Sequence, residues 1–401
     1  MPHPLIYDWN TIGTTFTPSG VLLDDETLRD GLQSPSVETP TIDEKIAILH
    51  LIDKLGIDTA DIGLPGAGPH VVADVERLAR EIREAKLNVR ANCASRTVIA
   101  DIVPIAEIMQ RTGLAIECCT FIGSSPIRRY TEDWTIDRLV RLTSDAVAFA
   151  VKEGMDCMFV TEDTTRADPD SLRALYGAAI RAGAKRICIA DTVGHATPAG
   201  ARAVVRFVRS IVDECGGGVG IDWHGHRDRD LAVENSLAAM DAGATRLHGA
   251  ALGIGERVGN TPMDVLLTNL VLMGHRTSDL THLAAYCETV AAACGVAIPQ
   301  NYPISGRDAF RTATGVHAAA VIKAFKKNDP ALADAVYSAV PASLVGREQI
   351  IEIGPMSGKS NVVYWLEKRG LEASDERVDK IFAAAKKAST VLTEDEVRRL
   401  L

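Results

Sequence analysis

The sequence predicts an α/β fold: a TIM (β/α)8 barrel with a C-terminal, mostly helical extension. Two observations lead there. Eight short runs rich in β-branched and other apolar residues alternate with amphipathic stretches of helical period. Polar residues then gather just after several of these runs, at the strand ends where barrel enzymes carry their chemistry. A doubly wound open sheet is the competitor, but it rarely needs eight units, and no G-x-G-x-x-G follows the first strand.

The strands are expected near Val21–Leu23, Asp58–Ile62, Leu87–Ala91, Ala115–Phe121, Asp156–Val160, Arg186–Ala190, Gly220–Trp223 and Arg246–Ala250. Thr41–Leu55 shows the helical pattern, with Ile42, Ile46, Leu49 and Ile52 on one face. Thr41 followed by Glu44 predicts a capping box. Gly56, Gly154, Gly183 and Gly243 stand where helices stop before the next strand. Beyond Met273 the pattern turns helical, with helices expected at 279–297 and Arg311–Lys326. Gly354-Pro355 and Ser357-Gly358 punctuate a strand-like segment, and Ser374–Leu401 reads as a charged helical tail. The expected division is an entry segment at 1–19, a catalytic barrel at 20–275 and a helical subdomain at 276–401.

Composition narrows the function. The 401 residues carry a net charge of −10, which argues against a dedicated nucleic-acid or anionic-membrane surface. No basic-then-apolar leader opens the sequence, and its apolar stretches carry charges or are too short to span a bilayer. Eight cysteines sit mostly inside apolar runs with no C-x-x-C pair, as buried thiols in a reducing compartment would. A cytoplasmic protein without nucleic-acid or membrane partners is expected.

The strand ends supply the candidate chemistry. After the first strand comes Asp24-Asp25-Glu26-Thr27-Leu28-Arg29-Asp30-Gly31; after the fifth, Thr161-Glu162-Asp163-Thr164-Thr165-Arg166. Asp191-Thr192 follows the sixth, His224-Gly225-His226 ends the seventh, and Gly253–Asn260 follows the eighth. In a strand, positions i and i+2 point the same way, so both imidazoles of His224 and His226 can reach one metal ion. With Asp30, Asn260 and waters they would make a mixed site open to Mg2+, Mn2+, Co2+ or Zn2+; two solvated or core histidines are the plainer alternative. Arg29 can stabilise an alkoxide or sit in a surface ion pair. Glu162 can serve a catalytic proton or pair with Arg166. Thr192 can hold a carboxylate or cap the next helix. Gly249–Asn260 lacks the GK[ST] ending of a phosphate loop, and Glu256-Arg257 within it reads as a gating or structural ion pair.

Together, Thr27-Leu28-Arg29-Asp30-Gly31-x-Gln33, Asp191-Thr192-Val193-Gly194, His224-x-His226 and Gly253–Asn260 resemble one family, the acyl-CoA-dependent metallolyase-type TIM barrels. It includes 2-isopropylmalate, homocitrate and citramalate synthases and hydroxymethylglutaryl-CoA lyase. A weaker resemblance runs through Thr314-Gly315-Val316-His317-Ala318 and Gly354–Lys359. The loop GIGERVGN lacks the cysteine expected of the lyase and looks like the synthases; the RDGLQ spelling is lyase-like.

The resemblance implies a metal-dependent Claisen condensation of acetyl-CoA with a 2-oxo acid, then thioester hydrolysis. It implies Asp30, His224 and His226 as ligands of a divalent metal (Mg2+, Mn2+ or Zn2+), with Asn260 in or next to the ligand shell. Arg29 would stabilise the alkoxide, Thr192 hold the substrate carboxylate, and His317 with Glu162 help remove the acetyl methyl proton. The histidine of the TGVHA-type segment acts in the neighbouring subunit's barrel in this family, so a homodimer is implied. Thr120–Ile127 resembles the isopropylmalate synthase pattern TFIATSPIH, with Arg128 in place of its histidine. Arg129 falls where homocitrate synthases read the distal carboxylate of 2-oxoglutarate; the arginine pair could equally meet CoA phosphates or water. The longer match favours isopropylmalate synthase, of leucine biosynthesis. The short remainder after Gly358-Lys359 predicts that the leucine-binding regulatory domain is absent. A lyase, or a barrel that binds without catalysis, are the remaining alternatives; the intact Arg29, Asp30, His224 and His226 set argues against the second.

Overall fold

Residues 3–11 and 19–401 are described by the computed structural model; residues 1–2 and 12–18 of the expected entry segment lie outside it. Eight strands close a parallel barrel in sequence order: β1 (Leu22–Asp25), β2 (Thr59–Asp61), β3 (Arg90–Arg96), β4 (Ile116–Gly123), β5 (Cys157–Glu162), β6 (Arg186–Asp191), β7 (Gly220–Gly225) and β8 (Arg246–Gly249). The barrel closes where β1 pairs with β8, from Leu22 opposite Arg246 to Asp25 opposite Gly249. The helices between strands are α1 (Ile42–Lys54), α2 (Pro69–Glu84), α3 (Ile99–Thr112), α4 (Pro126–Thr131), α5 (Ile136–Lys152), α6 (Pro169–Ala182), α7 (Pro198–Glu214) and α8 (Ala232–Asp241). α9 (Met263–Leu272) and α10 (Leu283–Ala293) follow β8.

Local chemistry explains the helix ends. Thr41 Oγ1 accepts from the Glu44 amide at 3.3 Å while the Glu44 carboxylate accepts from the Thr41 amide at 2.7 Å, closing the expected capping box of α1. α1 then buries Ile48, Leu49 and Ile52. Gly56, Gly154, Gly183 and Gly243 all take positive φ, the backbone state in which a chain leaves a helix cheaply.

The third strand differs from expectation. Leu87 completes the end of α2, its amide bonding the Ile82 carbonyl at 3.0 Å, and β3 starts only at Arg90. It continues through Asn92 and Ser95, both fully buried, which an apolar pattern passes over. β5, β6 and β7 each run one or two residues further than expected, which brings Glu162 of β5 and His224 of β7 to the mouth.

The barrel interior is unusually polar. Such interiors are commonly filled with branched aliphatic side chains. Here Arg246, 1% exposed, pairs with Asp222 at 2.5 Å and Glu117 at 2.7 Å, and Arg186 pairs with Asp222 at 2.6 Å. A buried arginine is tolerable because carboxylates face it on two sides.

Two compact units divide the described residues: 19–279 with 285–297, and 3–11 with 280–284 and 298–401. The second holds β9 (Arg311–Thr312) and β10 (Ile350–Ile351), which pair in parallel, with α11 (Gly315–Phe325), α12 (Pro330–Ala335), α13 (Lys359–Lys368), α14 (Asp375–Lys387) and α15 (Glu394–Arg398). The helix expected from Arg311 begins only at Gly315, because the backbone of Arg311 is taken up by pairing with Ile350. Val362, Trp365, Leu366 and Ile381 form one small core and Ala318, Val321, Ile322 and Ile351 another.

Candidate active site

A cavity of about 160 Å³ opens at the C-terminal end of the barrel strands. Its lining divides by chemistry. Strands β1, β2, β7 and β8 with the turn after β1 contribute Glu26, Arg29, Asp30, Asp61, His224, His226 and His248. Strands β3 to β6 contribute Ala94, Cys119, Phe121, Met158, Val160, Cys188 and Ala190. Glu162, Thr192, Glu256 and Arg257 also line it.

Asp30, His224 and His226 come together on the first of these walls. The Nε2 atoms of the two histidines lie 3.3 Å apart, and Asp30 Oδ2 lies 3.7 Å from that of His224 and 4.0 Å from that of His226. Strand alternation puts both rings on the inner face of β7. Asp30 opens a single 3-10 turn, Asp30–Gln33, directly after β1. Burial, then the neighbouring His224, pushes the His226 imidazole down to about 4, so it is neutral near pH 7 and keeps a lone pair to donate. Burial opposes ionisation of Asp30, but the Arg29 guanidinium, His224 and His226 together outweigh it and hold the carboxyl below its usual range.

Asn260 stands beside them. Its Nδ2 donates to Asp30 Oδ1 at 2.8 Å and to the Ile254 carbonyl at 3.0 Å. Its Oδ1 is buried and has no hydrogen-bond partner among the described residues. A carboxylate, two imidazoles and an unsatisfied amide oxygen fit a divalent cation of the Mg2+, Mn2+ or Zn2+ kind. The loop bearing Asn260 is tightly folded: a side-chain carbon on Gly255 would meet Asn260 Nδ2, and one on Gly259 would sit on the Gly253 carbonyl oxygen.

Arg29 is clamped rather than surface-paired. It donates to Glu26 at 2.5 Å, to Asp30 at 2.8 Å and to Asp61 at 3.0 Å. Three of the five N–H groups of a guanidinium are engaged in this way.

Of the paired readings, the structure separates several. Arg166 binds Asp163 through two 2.7 Å hydrogen bonds, so it is not the partner of Glu162. Burial raises the Glu162 carboxyl, with Arg128 partly opposing. Thr192 does not cap the helix after β6; Thr197 does, accepting from the Gly200 amide at 3.2 Å. Thr192 Oγ1 instead accepts from the Asp163 amide at 2.8 Å. Arg257 pairs with Asp228 at 2.8 Å and donates to the Thr192 carbonyl at 2.6 Å, so the expected Glu256–Arg257 side-chain pair gives way to a tie between the loops after β6, β7 and β8.

Arg128 and Arg129 do not line the cavity. Arg128 pairs with Glu132 at 3.0 Å and Arg129 with Asp168 at 2.9 Å. His317 belongs to the second unit, on the first turn of α11, exposed and stacked on Tyr337 with ring centroids 4.1 Å apart.

Glu26, Asp61 and His248 line the cavity but are not singled out by motif. Their signal is the spacing of polar residues by two: Asp24 and Glu26, Thr59 and Asp61, Asp222 and His224, Arg246 and His248. Each pair marks the inward face of its strand.

The closed parallel barrel and its polar mouth define a TIM-barrel enzyme. The HMGL-like family model matches residues 21–290, and the chain belongs to that family. It is 32% identical to a probable 2-isopropylmalate synthase of Methanopyrus kandleri over 92% of this chain and 70% of that one. To homocitrate synthase AksA of the same organism it is 32% identical, covering 92% of this chain and 88% of the other. Homocitrate synthase of Sulfolobus acidocaldarius is 32% identical, over 90% and 74%. In fold it is similar to HMG-CoA lyase from Brucella melitensis, with a TM-score of 0.57 and 19% identity over 68% of this chain and 98% of that one. HMG-CoA lyase from Pseudomonas aeruginosa gives 0.57 and 18% over 73% and 97%. No helix among the described residues is long and apolar enough to cross a membrane.

Proposed function

We propose that the chain catalyses the condensation of acetyl-CoA with a 2-oxo acid bearing an apolar side chain, followed by thioester hydrolysis: a 2-isopropylmalate synthase acting on 3-methyl-2-oxobutanoate. The division of the cavity carries this reading. The keto acid end meets the ionic wall; its side chain meets the wall of Cys119, Met158, Val160 and Cys188. Among the described residues, no uncommitted arginine lines the cavity. Arg29 and Arg257 are tied to carboxylates, and Arg129, which homocitrate synthesis would need for a distal carboxylate, is held by Asp168. Homocitrate and citramalate synthesis are the alternatives.

Asp30, His224 and His226 would hold the metal, with Asn260 beside it; bound there, the metal supplies a Lewis acid for the keto acid. Arg29 steadies the oxygen that becomes an alkoxide, and its three carboxylate partners keep it from swinging away. Thr192 offers its hydroxyl to the substrate carboxylate. Glu162 and His317, the latter brought by a second copy of the chain in a homodimer, take the proton from the acetyl methyl group. The freed carbon forms the new C–C bond at the keto carbon, the alkoxide takes up a proton, and water cleaves the thioester to release CoA.

Thiol release tests this, with acetyl-CoA and 3-methyl-2-oxobutanoate, 2-oxoglutarate, pyruvate or glyoxylate in turn. Free CoA is expected chiefly with the first. A preference for 2-oxoglutarate would move the assignment to homocitrate synthesis, and no release with any of the four would overturn the condensation. His317→Ala should abolish turnover while leaving metal content intact.

A further inference from the structure

We infer that Glu26 and His248 act as a positioning pair behind the metal site, fixing the ring of His224 and the head of Arg29 together. This rests on the reading of Asp30, His224 and His226 as metal ligands. The two candidate histidines are supported differently. The Nδ1 of His226 is buried with no hydrogen-bond partner among the described residues. The Nδ1 of His224 faces Glu26 Oε1 at 3.4 Å. A carboxylate behind a ligating imidazole fixes its tautomer and its rotation, and leaves Nε2 free to bind.

Glu26 is itself held. Its Oε2 takes the Arg29 guanidinium at 2.5 Å, and its Oε1 lies 2.9 Å from His248 Nδ1. The other nitrogen of His248 lies 3.0 Å from Asp222 Oδ2. Both ring nitrogens of His248 therefore face carboxylates, so both carry hydrogens and the ring cannot turn without losing a bond. Its edge packs against His224, with ring centroids 5.5 Å apart at 90°. Asp222 is anchored in turn by Arg246 and Arg186 near the start of their strands. The result is a rigid ionic column from the barrel floor to the mouth. One carboxylate at its top sets two groups of the site at once.

Charge and position predict opposite outcomes for His248→Asn. Removing a cation behind the site would tighten binding of a divalent cation if electrostatics alone mattered. Asparagine is too short to span Glu26 and Asp222, so lost positioning should weaken binding. Chelator-stripped protein would be titrated with Mn2+, following free Mn2+ by electron paramagnetic resonance, with circular dichroism as the check on folding. Expected is an affinity about ten- to a hundredfold weaker for His248→Asn. Glu26→Gln should weaken it by a similar amount, and the double variant should do little more, because both act through one contact. Unchanged or tighter Mn2+ binding in a folded His248→Asn would overturn the pair; if that variant does not fold, unchanged binding in Glu26→Gln does so. Glu256→Gln, which lines the cavity without touching the ligands, should bind as the unaltered chain does. Failure of the unaltered chain to bind Mn2+ would strike the metal reading itself and is thereby distinguishable.

Discussion

The two walls of the cavity are built on opposite principles. On β1, β2, β7 and β8 nearly every inward group is ionic and tied to another: Glu26 to Arg29 and His248, His248 to Asp222, Arg29 to Asp30 and Asp61. At the level of the cavity, β4 to β6 present instead the apolar cluster of Cys119, Met158, Val160 and Cys188. Fixed charge in a low dielectric acts strongly only if it is held still, so the ionic wall must be over-connected. An apolar wall needs only volume and shape, and it can be recut residue by residue.

That contrast can be broken most severely on the ionic wall. Asp30→Ala or His226→Ala should lower kcat/KM by on the order of 10⁴-fold and abolish stoichiometric Mn2+ binding. A fall of less than tenfold would remove the residue from the metal site.

The outer face of β1 sharpens it next. Asp25, fully buried, accepts a hydrogen bond from Tyr286 of α10, and burial pushes its carboxyl up to about 7 despite that bond and those from Thr27. Below about pH 4 this group is protonated whether the chain is folded or not. From there to pH 7 only the unfolded chain ionises, so folding loses stability, by about 4 kcal/mol in all if this group acts alone. Above pH 7 the loss stays constant. Asp25→Asn should therefore gain stability relative to the unaltered chain between pH 4 and 7, read by denaturant midpoints; a difference independent of pH would refute it.

On the apolar wall the effects are smaller. Val160→Phe should cut kcat/KM for 3-methyl-2-oxobutanoate by about 10- to 200-fold while sparing glyoxylate, whose side chain is only hydrogen. Equal losses with both acids would place the substrate side chain elsewhere. Arg129→Ala, outside the cavity, should leave selectivity among the acids unchanged; a loss confined to 2-oxoglutarate would restore it as a reader of the distal carboxylate.

The barrel was legible because its periodicity is strong from Thr41 onward, and the His224-x-His226 spacing pointed to the mouth. The third strand was not, since Asn92 is buried in the polar interior beside Asp24 and Ser95 on the opposite face beside Cys118, polar residues that apolar pattern-reading treats as loop. His248 escaped notice for the same reason, being a buried polar residue inside β8, and Glu26, in the polar run just after β1, was not told apart from its neighbours. The partner of Arg257 was legible only in space, because Asp228 stands on a different loop from Arg257.

The loop from Gly253 to Asn260 has a consequence for how such a chain can change over generations. No side chain fits at Gly255 or Gly259 without displacing Asn260 or the Gly253 carbonyl, and both glycines hold positive φ. Nearly any substitution there would disturb the neighbour of Asp30 before it altered what the cavity accepts. Descendants that take up a different acid are thus steered to the sulfur-bearing strands across the mouth, while the loop is inherited almost letter for letter.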